Sequence, residues 1–118
     1  MYSPIEATLI CYGLEQDENG YDVVKELKKT EVFVVLKSVG YREYYTALEA
    51  GIRPSKVAVL YALEYEESFI NGKAPSHMRI GEELYRIERE YQTDMDRTEL
   101  TLVLDTRNEE GVVLNGND

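Results

Sequence analysis

Residues 32–39 have the sequence Val-Phe-Val-Val-Leu-Lys-Ser-Val, a β-branched and nearly continuous apolar run. Such a run predicts a central β-strand that is covered on both faces. Residues 5–12, Ile-Glu-Ala-Thr-Leu-Ile-Cys-Tyr, instead alternate apolar and polar side chains, which predicts a half-buried first strand. Between these runs, turn residues at 17–20 predict a chain reversal into a second strand over residues 21–27. The charged residues 28–31 predict a bulge or a bend before the central strand.

After Gly40 the hydrophobic pattern changes from a strand period to a helix period. The apolar positions at helical spacing are Tyr41, Tyr44, Tyr45, Leu48 and Ile52. They predict one short α-helix at about residues 42–50, with Gly51 close to its end. Pro54 disfavours helix at the residue before it, and alternation returns over residues 57–65, which predicts a long strand.

The remaining strands follow a polar connection at residues 66–77. This connection contains Asn71-Gly72, which leaves two alternatives, a tight turn or a mobile loop, and nothing in its apolar pattern pins it to the core. Beyond it, apolar segments at 77–80, 84–92 and 98–104, separated by turn residues, predict a three-stranded meander.

Together these elements predict a mainly β fold. We expect a small antiparallel β-barrel or a strongly curved sheet with one inserted short α-helix. Residues 1–105 are predicted to form a single β-barrel-like domain, and residues 106–118 a polar, flexible C-terminal tail.

The composition has two unusual features, an acidic balance and an excess of tyrosine. There are 23 acidic against 13 basic residues, a formal charge of -10, and ten Tyr against two Phe. The acidity argues against ordinary nucleic-acid binding, because affinity for a phosphate backbone comes chiefly from Lys and Arg. It is compatible with a surface past which DNA slides without sticking. Tyrosine, which joins a large apolar body to a polar tip, is over-represented at protein interfaces.

Cys11 is the one cysteine of the sequence, so no intrachain disulfide forms, and its apolar neighbours predict a buried structural thiol. The first residues lack a positively charged region followed by an apolar stretch. No apolar run reaches the roughly 18 residues that a membrane span needs. We therefore expect a cytoplasmic protein that does not bind membranes.

The residues that could carry chemistry are few, which predicts that the protein is not an enzyme. His77 and Cys11 lie on separate predicted strands without a supporting motif, so a surface histidine beside a loop is expected. The acidic clusters at 17–19 and 94–96 do not match a calcium-binding pattern and are typical of turns. The sequence also lacks a glycine-rich phosphate loop. No catalytic, metal-binding or cofactor-binding residue is predicted.

The tyrosines of the predicted helix are the best candidates for an interface. Tyr44, Leu48 and Ile52 suit a core-facing stripe. The adjacent Tyr44 and Tyr45 cannot both face the core, so Tyr41 or Tyr45 is expected to be partly exposed as an anchor for another subunit.

Four segments, in a fixed order, carry a resemblance to a known family. The first two are residues 31–39, Glu-Val-Phe-Val-Val-Leu-Lys-Ser-Val, and residues 42–54, Arg-Glu-Tyr-Tyr-Thr-Ala-Leu-Glu-Ala-Gly-Ile-Arg-Pro. The other two are residues 80–91, Ile-Gly-Glu-Glu-Leu-Tyr-Arg-Ile-Glu-Arg-Glu-Tyr, and residues 98–102, Thr-Glu-Leu-Thr-Leu. This pattern resembles the small head closure, or head-tail joining, proteins of tailed bacteriophages and prophages.

The resemblance implies a structural virion protein that forms a ring in the head-tail connector. Such a ring closes the DNA-filled head, contacts portal, adaptor and tail proteins, and lets packaged DNA pass without sequence-specific binding. The protein would then be located in the virion, and in the bacterial host cytoplasm during assembly. On this basis we expect a protein interface at Tyr41, Arg42, Tyr45 and Arg53. A channel or interface loop is expected at Asn71, Gly72, Lys73 and His77, and the loops at 66–79 or 13–20 are expected to order in the ring.

Two other classes of function stay open. An acidic protein-binding module, or a DNA mimic that inhibits a host nucleic-acid enzyme, would need rows of carboxylates on one face. In this sequence the carboxylates are interleaved with Lys and Arg, as at residues 86–90. A small hydrolase would need a polar pocket that holds His77.

Overall fold

The computed structural model of the protein describes residues 4–37 and 56–105. This part of the chain contains six antiparallel strands and one short helix. They are β1 (Ile5–Gln16), β2 (Asp22–Lys37), β3 (Lys56–Tyr61), α1 (Ala62–Glu67), β4 (His77–Ile80), β5 (Glu83–Asp94) and β6 (Arg97–Leu104). The predicted helix at 42–50 and the predicted tail at 106–118 lie outside the described residues.

The strands close into a barrel in the order β1-β2-β3-β6-β5-β4, which confirms the predicted antiparallel barrel. The barrel is uneven, because its strand pairs differ greatly in length. β1 and β2 pair from Ile5 opposite Val34 to Gln16 opposite Asp22. Two other ladders are short seams: β2 meets β3 over residues 35–37, and β1 meets β4 over residues 8–10.

The core fills the barrel with the apolar side chains of alternating strand positions. Its buried members include Ala7, Leu9, Val32, Val34, Ala58, Leu60, Met78, Tyr85, Leu100 and Leu102. Phe33 lies between two of these residues and is 56% exposed. The prediction that the central strand is covered on both faces is therefore wrong, because the barrel wall is one sheet thick and Phe33 points outward.

β2 is one continuous strand, whereas the sequence predicted two strands separated by a bulge or a bend at 28–31; the structure has a bulge, one residue earlier. The irregularity lies at Leu27, since Cys11 pairs with Lys28 whereas Tyr12 pairs with Glu26. Leu27 is the extra residue of a β-bulge, and its side chain packs over Gly13. A Cβ at position 13 would come within 2.3 Å of Leu27 Cδ1, so this close approach requires glycine.

β3 ends at Tyr61, so the prediction of one long strand over residues 57–65 is wrong beyond that point. The next residues, Ala-Leu-Glu-Tyr-Glu-Glu, form α1, and Ala, Leu and Glu are among the strongest helix formers. The helix buries Tyr65 in the core, where its ring lies 5.1 Å from that of Phe69 in an edge-to-face contact. The Ala62 N–H donates to the carbonyl oxygen of Asp96 at 2.9 Å and ties the helix to the β5–β6 turn.

The predicted meander is confirmed as β4, β5 and β6, and the connection before it is anchored at both ends. Ser68 and Pro75 are buried, and Phe69 and Ala74 pack against the core. The Ser76 N–H also donates to the carbonyl oxygen of Ile10 at 3.1 Å. The expectation that nothing pins this connection is therefore wrong. Its apolar residues are too widely spaced to form a strand or helix pattern, but Phe69 and Ala74 each pack against the core.

Neither the length nor the apolar character that a membrane span requires is found in any helix of residues 4–37 and 56–105.

Candidate interaction surfaces

The far ends of β1 and β2 form an exposed hairpin, residues 13–26, which we call the arm. The two strands of the arm pair with each other. Every residue from Leu14 to Asp22 is exposed. The turn is held by Asp17, whose Oδ1 accepts from the N–H groups of Asn19 and Tyr21 at 2.8 and 2.9 Å. The acidic cluster at 17–19 therefore caps a turn, as predicted.

Apolar side chains lie on the arm where they contact solvent. Leu14 is 58% exposed, Tyr21 is 70% exposed, and Leu27 at the base of the arm is also exposed. Leu14 pairs across the hairpin with Val24, which packs on the second apolar cluster formed by Ile10, Tyr12 and Leu84. The arm thus continues an apolar stripe from a buried cluster into solvent, an arrangement typical of contact surfaces.

The arm tip is also acidic. Residues 14–24 contain four carboxylates and no Lys or Arg, the acidic members being Glu15, Asp17, Glu18 and Asp22. Nearer the barrel, Lys25, Lys28 and Lys29 interrupt this acidic run. The tip is therefore a local concentration of negative charge on a chain that is acidic throughout.

His77 is fully buried and is the first residue of β4. The prediction that it is a surface histidine in a channel or interface loop is therefore wrong. It lies in β4 opposite Ile10, on the face away from Leu9 and Met78. Its Nε2 lies 3.3 Å from Asp105 Oδ2, and its Nδ1 lies 2.7 Å from Ser76 Oγ. Both ring nitrogens therefore have polar partners, which is how a histidine is accommodated away from water.

Tyr12 packs edge-to-face on the His77 ring, with 5.0 Å between the ring centroids. Burial, reinforced by the Glu26 carboxylate, raises the pKa of the Tyr12 phenol, while Arg79 acts in the opposite direction. Ser76, His77 and Asp105 form a hydrogen-bonded row like that of a serine hydrolase, but the imidazole has no exposed surface. We interpret the row as a structural network that joins β4 to the end of β6.

Cys11 is buried, as predicted, and does not face His77. Its thiol donates to the carbonyl oxygen of Ser68 at 3.3 Å. Cys11 follows Ile10, which is the residue that pairs with His77. Successive strand residues point to opposite faces, so the two side chains lie on different sides of the sheet. Burial raises the pKa of the Cys11 thiol.

Three of the four predicted loop residues do lie at an exposed tip. Ile70 and Lys73 exchange two backbone hydrogen bonds of 3.0 and 2.8 Å, and Asn71 and Gly72 have φ angles of 51° and 77°. This is a tight turn of the kind that Asn-Gly favours, which settles the two alternatives for this connection. Lys28 Nζ donates to the carbonyl oxygens of Glu67 and Phe69 at 2.7 and 2.9 Å, so the connection is tied to β2.

A second exposed apolar surface lies between α1 and the β5–β6 turn, and we call it the groove. It encloses about 570 Å³ and is lined mainly by Tyr61, Leu63, Glu64, Glu66, Met95 and Asp96. The Arg97 guanidinium stacks 4.0 Å above the Tyr61 ring and lies 3.1 Å from Asp96 Oδ2. The one sequence signal that could have indicated this groove is the apolar Met95 in an otherwise acidic turn.

The predictions for the other candidate interface residues stay untested. Tyr41, Arg42, Tyr45 and Arg53 lie outside the described residues. Within residues 4–37 and 56–105, no group of three or more His, Cys, Asp or Glu side chains is placed to hold a metal ion. The acidic cluster at 94–96 is a turn in which the Asp96 N–H donates to Asp94 Oδ1 at 2.9 Å.

Comparison with known proteins adds no relative from which a function could be transferred. No protein-family model matches the chain, and neither a curated protein nor a solved structure matches it.

Proposed function

We propose that the protein is a structural subunit of the head-tail connector of a tailed phage or prophage. In this proposal copies of the chain form a ring that closes the DNA-filled head and provides a docking surface for the tail. One observation carries the proposal: the arm holds Leu14 and Tyr21 in solvent on a hairpin that leaves the barrel. Burying such side chains against a neighbouring subunit would be favourable by about 1.5–3 kcal/mol each.

A ring is an arrangement that such a contact supports. In this proposal the arm contacts a surface of the next subunit that differs from itself. Head-to-tail contacts of this kind form closed rings when the rotation between subunits is suitable. The exposed turn at Asn71, Gly72 and Lys73 lies beside the base of the arm, since Lys73 Nζ donates to the carbonyl oxygen of Tyr12 at 3.4 Å. It belongs to the same proposed contact.

The charge of the chain supports a position around packaged DNA. With 23 acidic and 13 basic residues, subunits of a ring would repel a phosphate backbone rather than hold it. The proposed partners are other copies of the chain together with portal, adaptor and tail proteins, and the proposed location is the virion. Tyr41, Arg42, Tyr45 and Arg53 remain proposed interface residues.

The test is light scattering and negative-stain microscopy of the protein alone and mixed with the portal-adaptor complex of the same phage. We expect the wild type to form rings on the complex and the variant Leu14→Ser/Tyr21→Ser to remain monomeric. The matched control is Leu63→Ser/Met95→Ser, which removes two exposed apolar side chains of the groove and should leave rings intact. Rings that form equally well from the arm variant would contradict the role of the arm.

The arm tip supports a second candidate, an acidic module that occupies the DNA-binding site of a host protein. Residues 14–24 present four carboxylates without a basic residue, as a short mimic of phosphates would. A wild-type chain that ignores the portal-adaptor complex, but inhibits a host nuclease or polymerase in a way that Glu15→Gln/Glu18→Gln abolishes, would favour this candidate over the ring.

A further inference from the structure

We infer that the groove between α1 and the β5–β6 turn binds a segment of another protein in which basic and apolar residues alternate. This inference concerns a different surface from the arm and goes beyond ring formation. It rests on the apolar residues that line the groove, on its carboxylates and on how the neighbouring Arg97 is held.

Exposed apolar side chains line the groove, and we call them its floor. Met95 is 93% exposed and Leu63 is 67% exposed, and both line the same depression together with Tyr61. α1 and the β5–β6 turn are held together by the Ala62–Asp96 backbone hydrogen bond, so the depression is bounded by two connected elements. Side chains of this kind, grouped in a concave surface, suit a ligand that carries its own apolar groups.

The rim of the groove is negative. Glu64, Glu66 and Asp96 line the groove, and we call these three carboxylates its rim. Glu64 also fixes the position of the helix, because its Oε2 accepts from the Phe33 N–H of β2 at 3.3 Å. A ligand that enters this groove therefore places its apolar groups on Met95 and Leu63 and meets carboxylates on either side.

Arg97 offsets one of these three charges, that of Asp96. Its guanidinium lies against the Tyr61 ring and close to Asp96, so its charge is already directed to these two groups. Glu64 and Glu66 are left as the carboxylates that face an incoming chain. Lys or Arg side chains flanking apolar residues would complement them, which specifies the charge of the partner.

The same charge argument separates this partner from the chain itself. Residues 106–118 contain Val112, Val113 and Leu114 but also three carboxylates against one arginine. A second copy carries a formal charge of -10. By net charge, each is less suited to a negative rim than a basic segment of a different protein.

The experiment is a fluorescence anisotropy titration with a dye-labelled peptide built of Lys-Leu-Leu-Lys repeats. Two control peptides replace its Lys by Glu or its Leu by Ser. The protein variants are Leu63→Ser/Met95→Ser, which removes the apolar floor, and Glu66→Gln, which removes one rim charge. The matched control is Leu14→Ser/Glu18→Gln, which makes the same kinds of change on the arm.

We expect the wild type to bind the Lys-Leu-Leu-Lys peptide about tenfold or more tightly than either control peptide, since both apolar burial and charge contribute. The floor variant should lose about tenfold or more in affinity, and Glu66→Gln about two- to threefold, as an exposed ion pair would. The arm control should bind like the wild type.

Equal binding by the floor variant, or an equal loss in the arm control, would overturn the inference. A groove variant that changes the protein from oligomer to monomer but leaves its affinity for the peptide unchanged would also overturn the inference. The groove would then be a contact between copies of the chain. Glu66→Gln keeps the test decisive if the floor variant is unstable. Measuring whether groove variants form rings on the portal-adaptor complex distinguishes a failure of this inference from a failure of the proposed function.

Discussion

Replacing Asp105 tests the buried network around His77. The two side chains are 0% and 1% exposed, and their facing atoms are 3.3 Å apart. Removing one member of a buried pair typically costs about 3–5 kcal/mol, because the other member loses its partner without regaining water. The distance lies at the long end of the hydrogen-bonding range, so we expect Asp105→Ala to lower the free energy of unfolding by about 3 kcal/mol.

Two further variants separate the network from the loss of a carboxylate in general. Asp105→Asn keeps an oxygen acceptor for the imidazole N–H, so we expect a loss of about 1–1.5 kcal/mol. Asp22→Ala removes an exposed carboxylate from the arm and should change the free energy of unfolding by less than about 0.5 kcal/mol. The ordering of the three variants matters more than the absolute values.

Urea unfolding measures these differences. With a slope of about 1–3 kcal/mol per molar urea, Asp105→Ala should move the midpoint down by about 1–3 M. Adding His77→Phe to Asp105→Ala keeps an aromatic ring against Tyr12 and removes the imidazole whose Nε2 faces Asp105 in the wild type. We therefore expect the double variant to be no less stable than Asp105→Ala alone. If Asp105→Ala and Asp22→Ala unfold at the same urea concentration, His77 is not held by a buried pair and the account of β4 is wrong.

Three other predictions follow from buried or crowded side chains. Burial raises the pKa of Tyr65 from 10.0 to about 12, so its contribution to stability is complete below pH 10 and is lost as the pH rises toward 12. This loss amounts to about 3 kcal/mol, and Tyr65→Phe should flatten the decline in urea midpoints between pH 9 and 12; an unchanged decline would contradict it. Gly13→Ala should destabilise by about 1–2 kcal/mol because the new Cβ displaces Leu27, and Gly13→Ala/Leu27→Ala should be more stable than the sum of the two single changes allows. The buried thiol of Cys11, whose pKa is raised by burial, should react with a disulfide reagent only as fast as the fold opens; fast, complete reaction without urea would show that it is accessible.

The barrel was predictable because its strands carry period-two patterns and its turns carry turn residues. β1 and the β4–β5–β6 meander follow from such local signals. α1 was missed because Val57, Val59, Tyr61, Leu63 and Tyr65 alternate in the sequence although the backbone changes at Ala62. The alternation continued across the boundary, and the helix propensity of six residues was too weak a signal to end it.

The surroundings of His77 could not be predicted from the sequence. Asp105 is 28 residues away and Tyr12 is on another strand, and both meet His77 only through the closed order of the barrel. The groove was missed for a similar reason, because it combines a helix that was not predicted with a turn that looked merely acidic. The arm was partly visible, since the loop at 13–20 was singled out by its polarity, but its extended pairing depends on a bulge at Leu27.

The short seam between β1 and β4 also has a consequence for synthesis on the ribosome. The β1–β2 hairpin is translated first, yet β1 can meet its second neighbour only after residues 77–79 have emerged. During that interval both outer edges of a long nascent hairpin can pair with other chains. Charged residues along β2, among them Lys25, Glu26, Lys29 and Glu31, make this pairing unfavourable while the chain is incomplete. We therefore expect the mixed charges of β2 to limit aggregation of the chain before its barrel closes.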